Sequence, residues 1–310
     1  MQVETAQREK LKIPIMLSGA SGSGKTTSAL LLAFGIVKKM FPDLEEDGLW
    51  LKIGVIDTEK KRSNFLIDRE FDGVKIGHFN MVNITPEDKF SVDNYEKAFN
   101  LLLDVGCEVI VIDSISHNWE GPGGMLETVE SYGGRFSDWN KVKPLDDRFR
   151  NLIMNDKVFV ISTARVKQDY VMELNEKGKT APRKVGLKII QKDNLEYELA
   201  ISFRVDQGSV SYAMKDNTGI FSTPKRLSVD DGEKIFDWSE TGIDVAKLER
   251  ERLAKEEEER QMMIKEIQDL SNTDKVKEII IRAESKLRNQ LINFNYKNTK
   301  KLYKQIKGEF

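Results

Sequence analysis

The sequence predicts an α/β protein with a mainly parallel sheet, an antiparallel extension of that sheet and a helical appendage at the C-terminal end. Three observations carry this. Between residues 13 and 163, short apolar runs alternate with stretches of helical spacing, the pattern of a parallel sheet covered on both faces. From 170 to 221, strand-like runs are separated by turn-like NEKGK, QKDN, DQG and KDNTG, which reads as antiparallel strands or hairpins. After residue 242 the chain turns heavily charged and keeps a helical period.

Taken in order, IPIMLS (13–18) is a short buried strand, and Thr26 to Met40 a helix with Leu30, Leu31, Phe34 and Val37 on its apolar face. Phe41-Pro42-Asp43 stops that helix, since proline cannot continue the hydrogen-bond ladder. WLKIGVID (50–57) is a second buried strand. Asn94 to Val105 places Tyr95, Ala98, Phe99 and Leu102 on one helical face, and EVIVID (108–113) is the most strand-like stretch of all. HNWEGPGG (117–124) reads as a loop, Met125 to Tyr132 and Pro144 to Asn155 as helices, and VFVIST (158–163) as a strand. The segment 222–242, with Pro224 and scattered turn residues, is expected to be a linker. AKLERERLAKEEEERQMMIKEI then forms a charged helix, broken at Ser271–Asp274 and followed by a helix with Val276, Ile279, Ile280, Ala283, Leu287 and Leu291 on one face. The expected division is therefore a core over 1–221, a linker over 222–242 and a helical appendage over 243–310.

The formal net charge of −2 leaves no overall field to draw the chain onto nucleic acid, so such binding must come from a local basic surface. The single cysteine, Cys107, lies in an apolar run and reads as a packed core thiol in a reducing compartment. The N-terminal residues lack a secretory apolar stretch, and the longest apolar run, ALLLAFGIV, is too short to cross a bilayer, so a cytoplasmic protein without membrane contact is expected.

GASGSGKT (19–26) carries the chemistry. It fits G-x-x-x-x-G-K-[ST], with Gly19, Gly24, Lys25 and Thr26 in the fixed places, following a strand and opening a helix. In such a P-loop the backbone of Gly19, Ala20, Ser21, Gly22, Ser23, Gly24, Lys25, Thr26 and Thr27 turns N–H groups onto phosphate oxygens at a helix N-terminus. Lys25 reaches the outer phosphates and Thr26 coordinates Mg²⁺, so ATP and Mg²⁺ are the expected cofactors. Asp113, at the end of the most strand-like run, is the expected second Mg²⁺ anchor. His117 has no second ligand at metal-binding spacing, so no further metal is expected.

Three ordered blocks, GASGSGKT, VIDTE (55–59) and VIVIDS (109–114), resemble the RecA-type P-loop ATPases. The resemblance implies a RecA-like core in which Glu59 orients or deprotonates the attacking water. It places Thr163 of VISTAR (160–165) where the family carries its γ-phosphate sensor, usually a Gln. DSISHNWEGPGGMLE, the strand-rich region after Arg165 and YAMKDNTGIF further resemble phage-encoded AAA-domain ATPases, some of them RecA-like single-strand annealing or recombination proteins. This likeness spans about 11–221 and implies a homo-oligomer in host cytoplasm, with Lys215 at the position from which a subunit reaches its neighbour's nucleotide. Asn217 stands where those proteins usually have a basic residue.

The same resemblance implies that single-stranded DNA lies against two loops and stimulates hydrolysis. The first, Ser116 to Lys143, contains His117, Trp119, Tyr132, Arg135, Trp139 and Lys141, a mixture suited to base stacking and phosphate contact. The alternative is that Trp119 and Trp139 are packing pegs. In the second, Arg165, Lys167, Lys177, Lys179, Arg183, Lys184, Lys188 and Lys192 face only Asp169, Glu173 and Glu176, with a solvated hairpin as the alternative. The C-terminal helices read as a docking site for a replication or single-strand-binding protein, or as an oligomer contact; their basic, aromatic end also suits nucleic acid. Two rival functions stay open: a nucleotide-dependent loader or packaging factor, and a P-loop small-molecule kinase, which would need an Arg-rich lid.

Overall fold

Ile13 and the apolar run after it enter β1 (Ile15–Gly19), and the turn at Ala20–Ser23 delivers the chain into α1 (Lys25–Met40). In this computed structural model residues 5–174 and 180–308 are described, and the chain divides into two units, Leu11–Thr241 and Met1–Lys10 together with Gly242–Phe310. The first unit continues through α2 (Glu46–Trp50), β2 (Ile53–Asp57), a small pair β3 (Glu70–Phe71) and β4 (Val74–Lys75), and β5 (Asn80–Asn83). Next come α3 (Val92–Asp104), β6 (Val109–Asp113), α4 (Ser116–Glu120), α5 (Met125–Ser131) and α6 (Trp139–Ile153). The hairpin β7 (Phe159–Leu174) and β8 (Thr180–Ile189), α7 (Leu195–Glu198), β9 (Ile201–Val205), β10 (Val210–Asp216), β11 (Lys225–Arg226) and α8 (Val229–Ser239) complete it.

Among the described residues, nine strands join in the order β11-β10-β9-β1-β7-β6-β2-β5, with β8 attached to β7. The run from β9 to β5 is parallel throughout, while β10, β11 and β8 pair antiparallel. This is the expected fold class. Side chains alternate across the sheet as strand geometry requires: Ile15 and Leu17 join Leu30, Phe34 and Trp50 in one core, and Met16 faces Ile56, Tyr95, Phe99 and Phe149 in the other. Both faces are thereby covered, and the apolar runs need no polar alternation.

Register brings the chemistry to one edge. Gly19 pairs with Arg165, and Asp57 with Asp113, so the ends of four parallel strands open side by side at their carboxyl edge. That edge is where open α/β sheets bind ligands.

Several expectations are corrected. Trp50 closes α2 and stacks on Phe34, with ring centroids 4.5 Å apart, because its bulk is wanted under α1 rather than in the strand. HNWEGPGG is not all loop, since α4 occupies its first half. Helix α6 starts at Trp139, five residues before Pro144, its entrance fixed by Asp138, which accepts from the Arg135 N–H at 3.1 Å. Strand β9 lies in the region read as antiparallel, yet it pairs parallel with β1 because α7 carries the chain back across. The expected linker holds β11 and the eleven-residue α8. Gly232 of α8 and Gly35 of α1 meet where a Cβ on either would run into the other helix's backbone, so these helices approach more closely than larger residues allow.

The second unit contains α9 (Val245–Leu270), α10 (Asp274–Leu287) and α11 (Tyr296–Gly308), around a core of Ile264, Ile267, Val276, Phe294, Leu302 and Ile306. Helix α11, read from sequence only as a basic ending, buries Thr299, Leu302 and Ile306 at helical spacing. Residue Glu9 bridges to Ile243 in parallel, and the Lys10 N–H donates to the Ile243 carbonyl at 3.0 Å. Among the described residues no helix is long and apolar enough to cross a membrane.

Candidate functional site

The loop after β1 turns tightly because its backbone is free to do so. Gly24 holds φ at 92° as the residue before α1, and a Cβ on Gly19 would run into the Val205 carbonyl of neighbouring β9. Lys25 opens α1 and its Nζ donates to the Ala20 carbonyl at 2.8 Å, arching back over the loop. Burial pushes the Lys25 ammonium below the usual lysine range, while the carboxylates of Asp113 and Glu59 oppose that shift. A cation held in this way is in want of anionic partners.

Thr26 Oγ1 donates to Asp113 Oδ2 at 2.7 Å, and the hydroxyl of Thr163 donates to Asp113 Oδ1. Burial pushes the Asp113 carboxyl up, with the Thr163 and Thr26 hydroxyls acting against it. A buried carboxylate beside a threonine hydroxyl, next to a phosphate loop, is an oxygen pair suited to a hard divalent cation that keeps most of its waters, so these residues fit Mg²⁺. The two side chains would hold it, and the ion would neutralise phosphate charge. Among the described residues no cluster of three or more His, Cys, Asp or Glu is arranged to hold a metal. His117, partly buried, stacks on Phe90 and is hydrogen-bonded to Thr58 Oγ1 at 2.7 Å.

The segment after β2 aims Glu59. Asp57, wholly buried, accepts from the backbone N–H groups of Glu59, Lys61 and Ser63 at 2.8, 3.0 and 3.1 Å and so fixes the turn. Glu59 then receives both arms of Arg165, Nε to Oε1 at 2.8 Å and a terminal nitrogen to Oε2 at 2.6 Å. Burial alone would raise the Glu59 carboxyl, but this guanidinium, with His117 and Arg62 further off, holds it below the ordinary glutamate range. Loop, Glu59, Asp113, Arg62, Arg69 and Arg165 line one cavity of about 370 Å³.

Not every expected residue reaches it. Thr163 is wholly buried behind Asp113 and does not line the cavity; it supports the expected metal ligand. Lys215 sits on β10, two strands from β1, and its Nζ donates to the Tyr197 carbonyl. Arg165, expected with the DNA loop, turns to this cavity, where its half-buried guanidinium pairs with the carboxylate of Glu59. Arg62, Arg69 and Asp57 were missed; the KKR run at 60–62 and the acidic end of a buried strand were the available signals.

A second, larger hollow of about 580 Å³ joins the two loops expected to hold DNA. Trp119 and Trp139 stack at 5.5 Å on its floor, half-buried, and Phe136 stands 93% exposed at its rim. Lys143, Lys167, Lys188 and Lys192 surround it with Asp146 and Asp193, which pair with Lys192 at 2.5 Å and Lys188 at 2.7 Å. Each ring packs on the other and lines the hollow. Lys184 is exposed on β8 and Arg183 lies opposite Val171 in the hairpin. Lys177 and Lys179 fall outside the described residues.

No known family model matches the chain, and no curated protein does. Among solved structures it is similar to the crystal structure of the RadB recombinase, at 14% identity and a TM-score of 0.37, covering 72% of this chain and 90% of that one.

Proposed function

We propose that the protein is an Mg²⁺-dependent ATPase of RecA-like type, phage-encoded and homo-oligomeric, that acts on single-stranded DNA in recombination, annealing or replication. The observation that carries this is the union, on one sheet edge, of a phosphate loop, the Thr26–Asp113 pair and a separate carboxylate, Glu59, aimed into the same cavity. In hydrolysis Glu59 takes a proton from water as the water oxygen bonds to the γ-phosphorus and ADP leaves, while Lys25 offsets the phosphate charge. The aromatic and basic hollow beside Trp119 supports the choice of a single strand, whose bases stack and whose phosphates need cations.

A second reading has one observation in its favour. Arg62, Arg69 and Arg165 line the nucleotide cavity, which is the arginine-rich surrounding a phosphate-transferring kinase needs. The deciding experiment measures ATP turnover alone, with oligothymidylate, and with a panel of small hydroxyl acceptors. Turnover raised by oligothymidylate supports the first reading; phosphorylated acceptor supports the second.

A further inference from the structure

The engagement of Glu59 has a chemical cost for the site it serves. Both carboxylate oxygens are taken by one guanidinium, the carboxylate is 13% exposed and Arg165 33%, and Arg62 adds a longer contact at 3.6 Å. A carboxylate bound at both oxygens keeps little basicity for a water molecule. The other groups facing it, Lys25, His117 and Asp113, cannot substitute for a bidentate donor.

Arg165 is also placed to sense the second hollow. Its backbone N–H donates to Ser116 Oγ at 2.9 Å, at the first residue of α4, the helix that carries Trp119. It is the last β7 residue in register with β1, and at Val166 the strand begins to pair with β8. Lys167, two residues on, lines the aromatic hollow. One residue thus joins the core sheet, the nucleotide cavity and the walls of the hollow.

We propose that Arg165 is a positioning residue that holds Glu59 unproductive at rest and releases it when a polyanionic strand fills the hollow beside Trp119 and Lys167. This inference rests on the ATPase reading above. Phosphate oxygens offer a guanidinium the same bidentate acceptors as a carboxylate, so the exchange replaces one good partner by another and frees the base. The groove ligand then favours one of two states of a single side chain.

The test compares the full chain with R165A, R165K, E59Q and the double variant E59Q/R165A, with and without oligothymidylate. R165A should raise turnover without DNA by roughly three- to tenfold, as Glu59 regains basicity. Its KM for ATP should stay within about twofold, so the change lies in kcat. Stimulation by oligothymidylate should disappear, and R165K, which keeps the charge but loses the fork, should fall between. The double variant should be as slow as E59Q, because the effect passes through that carboxylate. The inference is overturned if R165A and R165K, shown folded by melting and by retained ATP binding, lose turnover as E59Q does, or if the rise survives in the double variant. K25A is the control for the underlying reading: turnover that survives in K25A belongs to another site, and that failure is visible before any Arg165 variant is compared.

Discussion

Asp113, buried, and Glu59, partly buried, line one cavity, and their surroundings separate them. Asp113 meets only hydroxyls, so burial dominates and its carboxyl is raised, a group in want of a cation. Glu59 meets a guanidinium and is held ionised. The hydrogen bond between Asp113 and Thr26 fits the proposed metal site, and the place of Glu59 on the wall of the same cavity fits the proposed proton transfer. Glu59→Gln should therefore keep ATP binding and slow hydrolysis by ~10²–10⁴-fold, since the amide retains shape and loses basicity. Single-turnover kinetics with nucleotide binding measured alongside will decide it; normal turnover in this variant removes Glu59 from the mechanism.

At the scale of elements, two contacts matter most. Helices α1 and α8 touch through Gly35 and Gly232, so α8 buttresses the helix that begins at the phosphate loop. Gly232→Ala should cost roughly 1–3 kcal/mol, the usual penalty for overpacking, read as a lower urea midpoint at unchanged slope. A segment acting as a mere linker would show no change. The β7–β8 hairpin, with Lys167 and Lys184 exposed, is the element proposed to follow a phosphate backbone. Replacing both by Ala should weaken oligothymidylate binding for all sequences alike, and each lost phosphate contact should flatten the slope of log affinity against log salt by about 0.7. Identical slopes in variant and parent would move the strand away from the hairpin, with α11 and its five exposed lysines next in line.

For the whole molecule, the proposed nucleotide site is a junction of β1, α1, β2, β6 and β7, so a ligand there would tie the sheet together. If Mg-ATP binds the native state alone, as proposed, then at 100 times its Kd it should add about 2.7 kcal/mol of stability. Differential scanning fluorimetry should show the melting temperature rising with Mg-ATP in the parent. Lys25→Ala should leave the unliganded melt near the parent's, because that ammonium supports no core packing, and should lose most of the rise together with turnover. An equal rise in the variant would place the ATP elsewhere.

The sequence by itself determined whatever depends on local period and on motifs that are contiguous in the chain. Apolar runs of strand length, the helical faces of α1 and α3, and the phosphate loop between β1 and α1 were all legible, because each is fixed by neighbours a few residues away. Asp113 was legible for the same reason, as an acid ending a buried run. Only the tertiary structure decided which distant groups meet. Arg165 stands 106 residues from Glu59, and nothing local to either marks their pairing; it follows from β7 lying between β1 and β6 in the sheet. The parallel placement of β9, the closure of α8 onto α1 and the convergence of Trp119 and Lys167 on one hollow are of the same kind. The physical reason is that strand order and helix contact are set by burial summed over the whole sheet. Local sequence sets the period of each element and leaves its neighbour open.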